Sequence, residues 1–240
     1  MDVKPYAIIG REAERSKQLR ERLAALYDGL SIESIPFIET HPVAFDLPEY
    51  KGTSLFLFTS PRAVEMFFKS IKLPIGCLVA SIGAATSKAL IARGIAPAFT
   101  SNIENAQGMA PELHQNLLSS GQAPHIIQPT SNIAGQHLRE YFVARGFEYT
   151  LLTTYEVQPS NQLKDKLSHF SHAPEWVMFY SPSGVRAWCE ASPFSTDPIA
   201  FSIGPTTTKE LRKLGWQAIF ESNCPHEDDI IETIKNNYNI

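Results

Sequence analysis

Two stretches of this chain repeat at one fixed spacing. Residues 57–64 read LFTSPRAV and residues 178–185 read MFYSPSGV, so Ser60 and Ser181 stand 121 residues apart. Residues 80–100 and 201–221 share the same offset, with eight of their 21 positions identical. Those include Ser81/Ser202, Gly83/Gly204, Thr86/Thr207 and Gly94/Gly215. A weaker pair, Leu19-Arg20-Glu21 and Leu138-Arg139-Glu140, precedes them at an offset of 119. A duplicated chain of 240 residues must fold into two similar halves.

Each half reads as strand–helix, connector, strand–helix, strand–helix. Strands alternating with helices build a parallel sheet with helices on its faces. Val64, Phe67 and Phe68 fall at i, i+3 and i+4, as do Val185, Trp188 and Cys189; both sets read as buried helix faces. Trp176, Trp188 and Trp216 read as core. Gly94 and Gly215 stand where a helix should stop in a left-handed cap. Ile35–Pro42 and Leu152–Pro159, rich in β-branched and aromatic residues and closed by proline, read as extended connectors. Asp228 to Tyr238 reads as a helix with Ile230, Ile231 and Ile234 on one face.

Composition narrows the function. The net charge is −4, which argues against a nucleic-acid surface. No apolar run approaches a membrane span, and the first residues do not read as a signal peptide. Three scattered cysteines, Cys77, Cys189 and Cys224, suit reduced thiols in the cytoplasm. The seven histidines offer no metal-binding spacing except a marginal one at Cys224-Pro-His226, which reads as a surface loop. Neither a phosphate-binding GxxxxGK[ST] loop, a GxGxxG fingerprint nor a GxSxG elbow occurs.

The chemistry is expected at the strand-to-helix junctions. Ser60-Pro61 and Ser181-Pro182 read as N-caps with proline in the first helical position. Gly83-Ala-Ala-Thr86 and Gly204-Pro-Thr-Thr207 read as two further junctions, with glycine admitting a ligand and threonine offering a hydroxyl. In open parallel sheets such junctions gather at the carboxyl ends of the strands, where ligands bind. Helix amino ends carry about half a positive charge and unpaired N–H groups, so they hold anions without a basic surface. Arg62, Lys88 and Lys209 add full charges nearby. A Ser-Pro pair alone is usually only a cap; its duplication beside a duplicated IGxxT favours a ligand site. Tyr155, in the second connector, reads either as a half-buried packing residue or as a polar tip facing a cleft between lobes.

The ordered set F-T-S-P-R-A-V, S-I-G-x-x-T, T-x-Y-E-x-x-P, F-Y-S-P-S-G-V and S-I-G-P-T-T resembles the uroporphyrinogen-III synthase family from about Tyr6 to Ile234. The resemblance implies two α/β lobes, each a parallel sheet flanked by helices, joined by two extended crossover strands. Residues 1–36 with 158–240 would form one lobe, 42–151 the other, and 37–41 and 152–157 the crossovers; the repeat alone would suggest a tandem split near residue 121. It further implies a cofactor-independent lyase that closes hydroxymethylbilane, a linear tetrapyrrole with eight carboxylates, with inversion of its last ring and loss of water. Ser60, Arg62, Thr86, Ser181, Ser183, Thr206 and Thr207 would hold the substrate, and Tyr155 would assist departure of the hydroxyl. No metal, nucleic acid or membrane is implied; a cytoplasmic monomer in transient contact with the preceding enzyme of the pathway is. One departure stands out: where the family carries glycine and then a basic residue, Gly135 is followed by Gln136, with Thr130, Ser131 and Asn132 as neutral substitutes. The rival readings are a two-lobed binding protein without catalysis and a regulatory module on the same fold.

Overall fold

A computed structural model describes residues 5–50, 54–101, 103, 106–119, 121, 123–194, 198–224 and 226–238. The chain opens with β1 (Tyr6–Ile9), α1 (Ala13–Leu26), β2 (Ser31–Ser34) and β3 (Ile38–Pro42). It continues through β4 (Leu55–Phe58), α2 (Pro61–Ser70), β5 (Leu78–Ile82), α3 (Gly83–Ile91), β6 (Phe99–Ser101), α4 (Ala106–Ser119), β7 (Ile126–Ser131) and α5 (His137–Val143). The long β8 (Tyr149–Pro159) follows, then α6 (Leu163–Ser168), β9 (Trp176–Phe179), α7 (Pro182–Ala191), β10 (Ile199–Ser202), α8 (Pro205–Lys213), β11 (Ile219–Glu221) and α9 (Glu227–Asn237).

Two compact units result: Met1–Glu39 with Gln158–Ile240, and Thr40–Val157. The divisions fall inside β3 and β8. The first unit holds a five-stranded sheet in the order β11-β10-β9-β1-β2, and its paired strands run parallel. The second holds the order β3-β8-β7-β4-β5-β6, parallel from β8 to β6.

Continuous apolar strands explain why both faces of each sheet are covered. In β1, Tyr6 and Ile8 enter one core and Ala7 and Ile9 the opposite one. In β4, Leu55 and Leu57 face one cluster and Phe56 and Phe58 the other. Period-two alternation sends successive side chains to opposite faces, so a sheet covered by helices on both sides needs no polar positions. The three tryptophans are buried in the first unit. Gly94 and Gly215 take φ +76 and +95 just after α3 and α8, a region that favours glycine. The buried face of α7 comprises Gly184, Val185, Ala187 and Trp188, whereas Cys189 is exposed. The expected burial of Cys189 is thus corrected: α6, α8 and β9 cover only a stripe of α7, and position i+4 from Val185 lies outside it. Its counterpart Phe68 is only partly buried.

Tyr6 ties the edge of this core to the following connector. Its ring stacks on Phe170 at 4.2 Å, its hydroxyl donates to the His172 carbonyl, and burial pushes its phenol up to about 12. The unfolded chain releases that proton near 10, before the folded chain does, so the folded state holds more protons in between. Stability is therefore expected to be unaffected by this group below pH 10 and to fall from there to about pH 12. Denaturant midpoints across that window should decline less steeply in Tyr6→Phe.

Candidate functional site

The second unit has a reversal in its winding. From β4 the chain proceeds to β5 and β6 on one side; from β7 it proceeds to β8 on the other. Adjacent β4 and β7 are the point at which the winding switches direction. Their outgoing loops diverge, which leaves a crevice at their carboxyl ends. A cavity of about 370 Å³ lies there, within the size range of small-molecule pockets. Thr59 and Ser60 line it from the end of β4, Ile82 from β5, and Gln128, Thr130 and Ser131 from β7. Ala134 and Gly135 contribute from the loop before α5, His137 and Leu138 from its first turn, and Tyr155 from β8.

Tyr155 reaches this cavity through a backbone irregularity. Along β7 and β8 the register runs Thr130↔Thr153 and then Ser131↔Tyr155, skipping Thr154. In an unbroken strand Tyr155 would share a face with Tyr149 and Leu151. The bulge turns it onto the face of Leu152, and both pack in the same cluster. Tyr155 is 8% exposed, and among the described residues its hydroxyl makes no hydrogen bond. Its ring is packed in that cluster, and the residue also lines the cavity.

Ser60 is the N-cap of α2, accepting from Ala63 N at 3.1 Å, with Pro61 opening the helix. Arg62, one residue on, does not line the cavity; its guanidinium lies 3.8 Å from Glu65. Thr86 also lies outside the lining, buried in the first turn of α3 behind Gly83, which takes φ +72. Removal of the Ser60 hydroxyl leaves one first-turn N–H without its side-chain acceptor. Ser60→Ala is expected to cost about 1 kcal/mol of stability in a urea titration.

The first unit places its nominated residues along the carboxyl edge of β9 and β10, which pair in parallel up to Phe179 and Ser202. Ser181 caps α7 by accepting from Gly184 N at 3.1 Å, and its hydroxyl lies 2.9 Å from that of Ser183. Thr206 is exposed, while Thr207 is buried in the first turn of α8. Thr86 and Thr207 therefore sit in equivalent buried positions, and packing accounts for both. The carboxyl end of β1 adds a residue that the sequence reading did not nominate. The Arg11 guanidinium stands 4.8 Å from the Tyr180 ring centroid, beside the β1–β9 reversal of this sheet. Burial pushes the Tyr180 phenol up to about 12, with Arg11 opposing that rise.

In the cavity of the second unit, Gln128 and His137 carry no local signal of a site in the sequence. Gln128 occupies a strand position that local pattern assigns to apolar core. His137 lines the cavity two residues after Gly135, in the stretch where the resemblance implies a basic residue. Of the three suggested neutral substitutes, Thr130 and Ser131 line the cavity and Asn132 does not. Asn132 Oδ1 instead accepts from Val157 N at 2.9 Å, clamping β8 beside its bulge. Elsewhere the Cys224 thiol donates to Asp229 at 2.7 Å, and no group of three metal-ligating side chains occurs among the described residues.

The family described as HEM4, uroporphyrinogen-III synthase HemD, matches residues 17–232. This chain belongs to the uroporphyrinogen-III synthase family. Its members are lyases of tetrapyrrole biosynthesis that act on hydroxymethylbilane. Among its relatives, the chloroplastic uroporphyrinogen-III synthase of Oryza sativa subsp. japonica is 30% identical over 111 residues, 45% of this chain and 37% of the rice protein. Uroporphyrinogen III synthase of Thermus thermophilus, in a mutant form, superposes with a TM-score of 0.65 at 17% identity, over 97% of this chain and 98% of its own. Uroporphyrinogen-III synthetase of Helicobacter pylori gives 0.67 at 14% identity, over 97% and 99%. At such identities the structures speak for the fold: two α/β units in one chain. Among the described residues no helix is long and apolar enough to cross a membrane.

Proposed function

We propose that this chain is a uroporphyrinogen-III synthase that converts hydroxymethylbilane into uroporphyrinogen III, inverting the last pyrrole ring and releasing water. The observation that carries the reading is the cavity at the β4/β7 reversal, where Tyr155 and Ser60 stand among polar walls. Unassisted closure occurs without ring inversion, so the protein must select a geometry more than supply a strong base. Holding the reacting ends in a defined orientation is then the main source of acceleration and selectivity.

Tyr155 is proposed as the hydrogen-bond donor or general acid. The methylene C–O bond breaks with electron supply from the pyrrole nitrogen, the departing hydroxyl takes the Tyr155 proton and leaves as water, and the pyrrole N–H gives its proton back to the Tyr155 oxygen. The resulting azafulvene is attacked by the substituted carbon of the last ring, and the spiro product fragments and recloses inverted. Ser60, Arg62, Thr86, Ser181, Ser183, Thr206 and Thr207 are proposed to hold carboxylates through hydroxyls, main-chain N–H groups and one guanidinium. The burial of Thr86 and Thr207 limits their part to main-chain donors and to shaping the junction.

The chain is proposed to work without cofactor, as a cytoplasmic monomer that meets the preceding enzyme of the pathway transiently. Free thiols at Cys77, Cys189 and Cys224 support a reducing compartment. Incubation with freshly generated hydroxymethylbilane and separation of the isomers tests the function. Type III product is expected; only type I would leave a binding or regulatory protein as the reading.

A further inference from the structure

The floor of the cavity holds a buried amide whose orientation is fixed from behind. Gln128 projects from β7 and is 4% exposed, yet it lines the cavity. Its Oε1 accepts a hydrogen bond from the Tyr149 hydroxyl at 2.6 Å, in buried surroundings. Its Nε2 reaches only Thr59 Oγ1, at 3.5 Å, and among the described residues it makes no other hydrogen bond. That distance is at the outer limit for a bond. A carboxamide has two N–H donors, and a buried donor left short of an acceptor is costly unless something supplies one.

Tyr149 is itself constrained. It stands at the start of β8 opposite Ile126, and its ring stacks against Phe142 at 6.0 Å. Burial raises its phenol well above the ordinary range, so the hydroxyl keeps its proton, and it donates that proton to Gln128 Oε1. This bond holds the amide oxygen toward Tyr149. The NH₂ then faces Thr59 and the cavity. Gln128 thus offers donors without charge and without reorganisation when an anionic group arrives.

We propose that Gln128 is a substrate-binding residue whose carboxamide N–H groups hold a carboxylate of the linear tetrapyrrole, and that Tyr149 is the positioning residue that aims them. This role rests on the function proposed above. Gln128→Leu is expected to raise KM for hydroxymethylbilane about tenfold or more, with kcat little changed, because a hydrogen bond to a charged group is lost. Gln128→Glu keeps an acceptor for Tyr149 but turns like charge on the substrate, so its KM should rise further. Tyr149→Phe should raise KM by a smaller factor. Because Tyr149 acts through Gln128, the double variant Gln128→Leu/Tyr149→Phe should bind no worse than Gln128→Leu alone.

Circular dichroism melts establish that each variant is folded, and Gln128→Glu and Tyr149→Phe decide the matter if Gln128→Leu is not. Type III product from the unmodified chain with unchanged KM in the variants overturns this role alone. Full additivity of the two KM effects overturns the positioning of Gln128 by Tyr149. Absence of type III product from the unmodified chain overturns the function, and this role with it.

Discussion

Tyr155→Phe is expected to lower kcat for hydroxymethylbilane about a hundredfold, the lower end of what a positioned proton donor contributes. The substitution keeps the ring that packs with Leu152 and Phe58 and removes only the hydroxyl that borders the cavity. Stability should therefore change by less than about 0.5 kcal/mol, as for substitutions that leave packing intact. KM should stay near its original value, since the donor acts on the leaving group more than on the bound ground state. Slower enzymatic turnover also gives unassisted closure time to compete, so the share of type I isomer should rise. Stopped assays with isomer separation measure both quantities. A rate within twofold of the original would leave Tyr155 as a packing residue held on this face by the bulge at Thr154.

Phe67→Ala is expected to cost about 3–5 kcal/mol of stability, the range for truncating a large buried aromatic. Phe67 is fully buried in α2 and meets four other phenylalanines, Phe45, Phe56, Phe58 and Phe68, at centroid distances of 5.0–5.9 Å. The rings around it are rigid and refill such a space poorly. The lost contacts add to the cavity term, since each aromatic pair is worth about 0.5–1.5 kcal/mol beyond area alone. Far-UV circular dichroism in a urea titration reads the effect. The repeat offset carries Phe67 onto Trp188, which meets Phe37 and Phe179 in the first unit. A loss below about 1 kcal/mol in Phe67→Ala would mean that the helix repacks against β4.

The alternation of apolar strands with helices was legible because each element needs only its own residues to declare itself. The caps of α2 and α7 were equally local: Ser-Pro fixes a junction within four residues, and the same bond forms at Ser60 and Ser181. Short elements such as β6, β11 and α6 escaped notice, being three to six residues long with little periodicity to read. The buried state of Thr86 and Thr207 escaped as well, because a hydroxyl near a helix start looks the same in sequence whether it meets solvent or core.

The sequence alone determined the parallel α/β plan, since strand and helix periods and helix caps act over a few residues. Which strands become neighbours was decided by tertiary structure. Pairing of Ile8 with Val177 joins positions that no local pattern links, and the same global arrangement places the winding reversal between β4 and β7. Gln128, Tyr149 and Tyr155 acquire their roles only there. Their hydrogen bonds and facing depend on strand register, a single skipped residue and the burial that surrounds them.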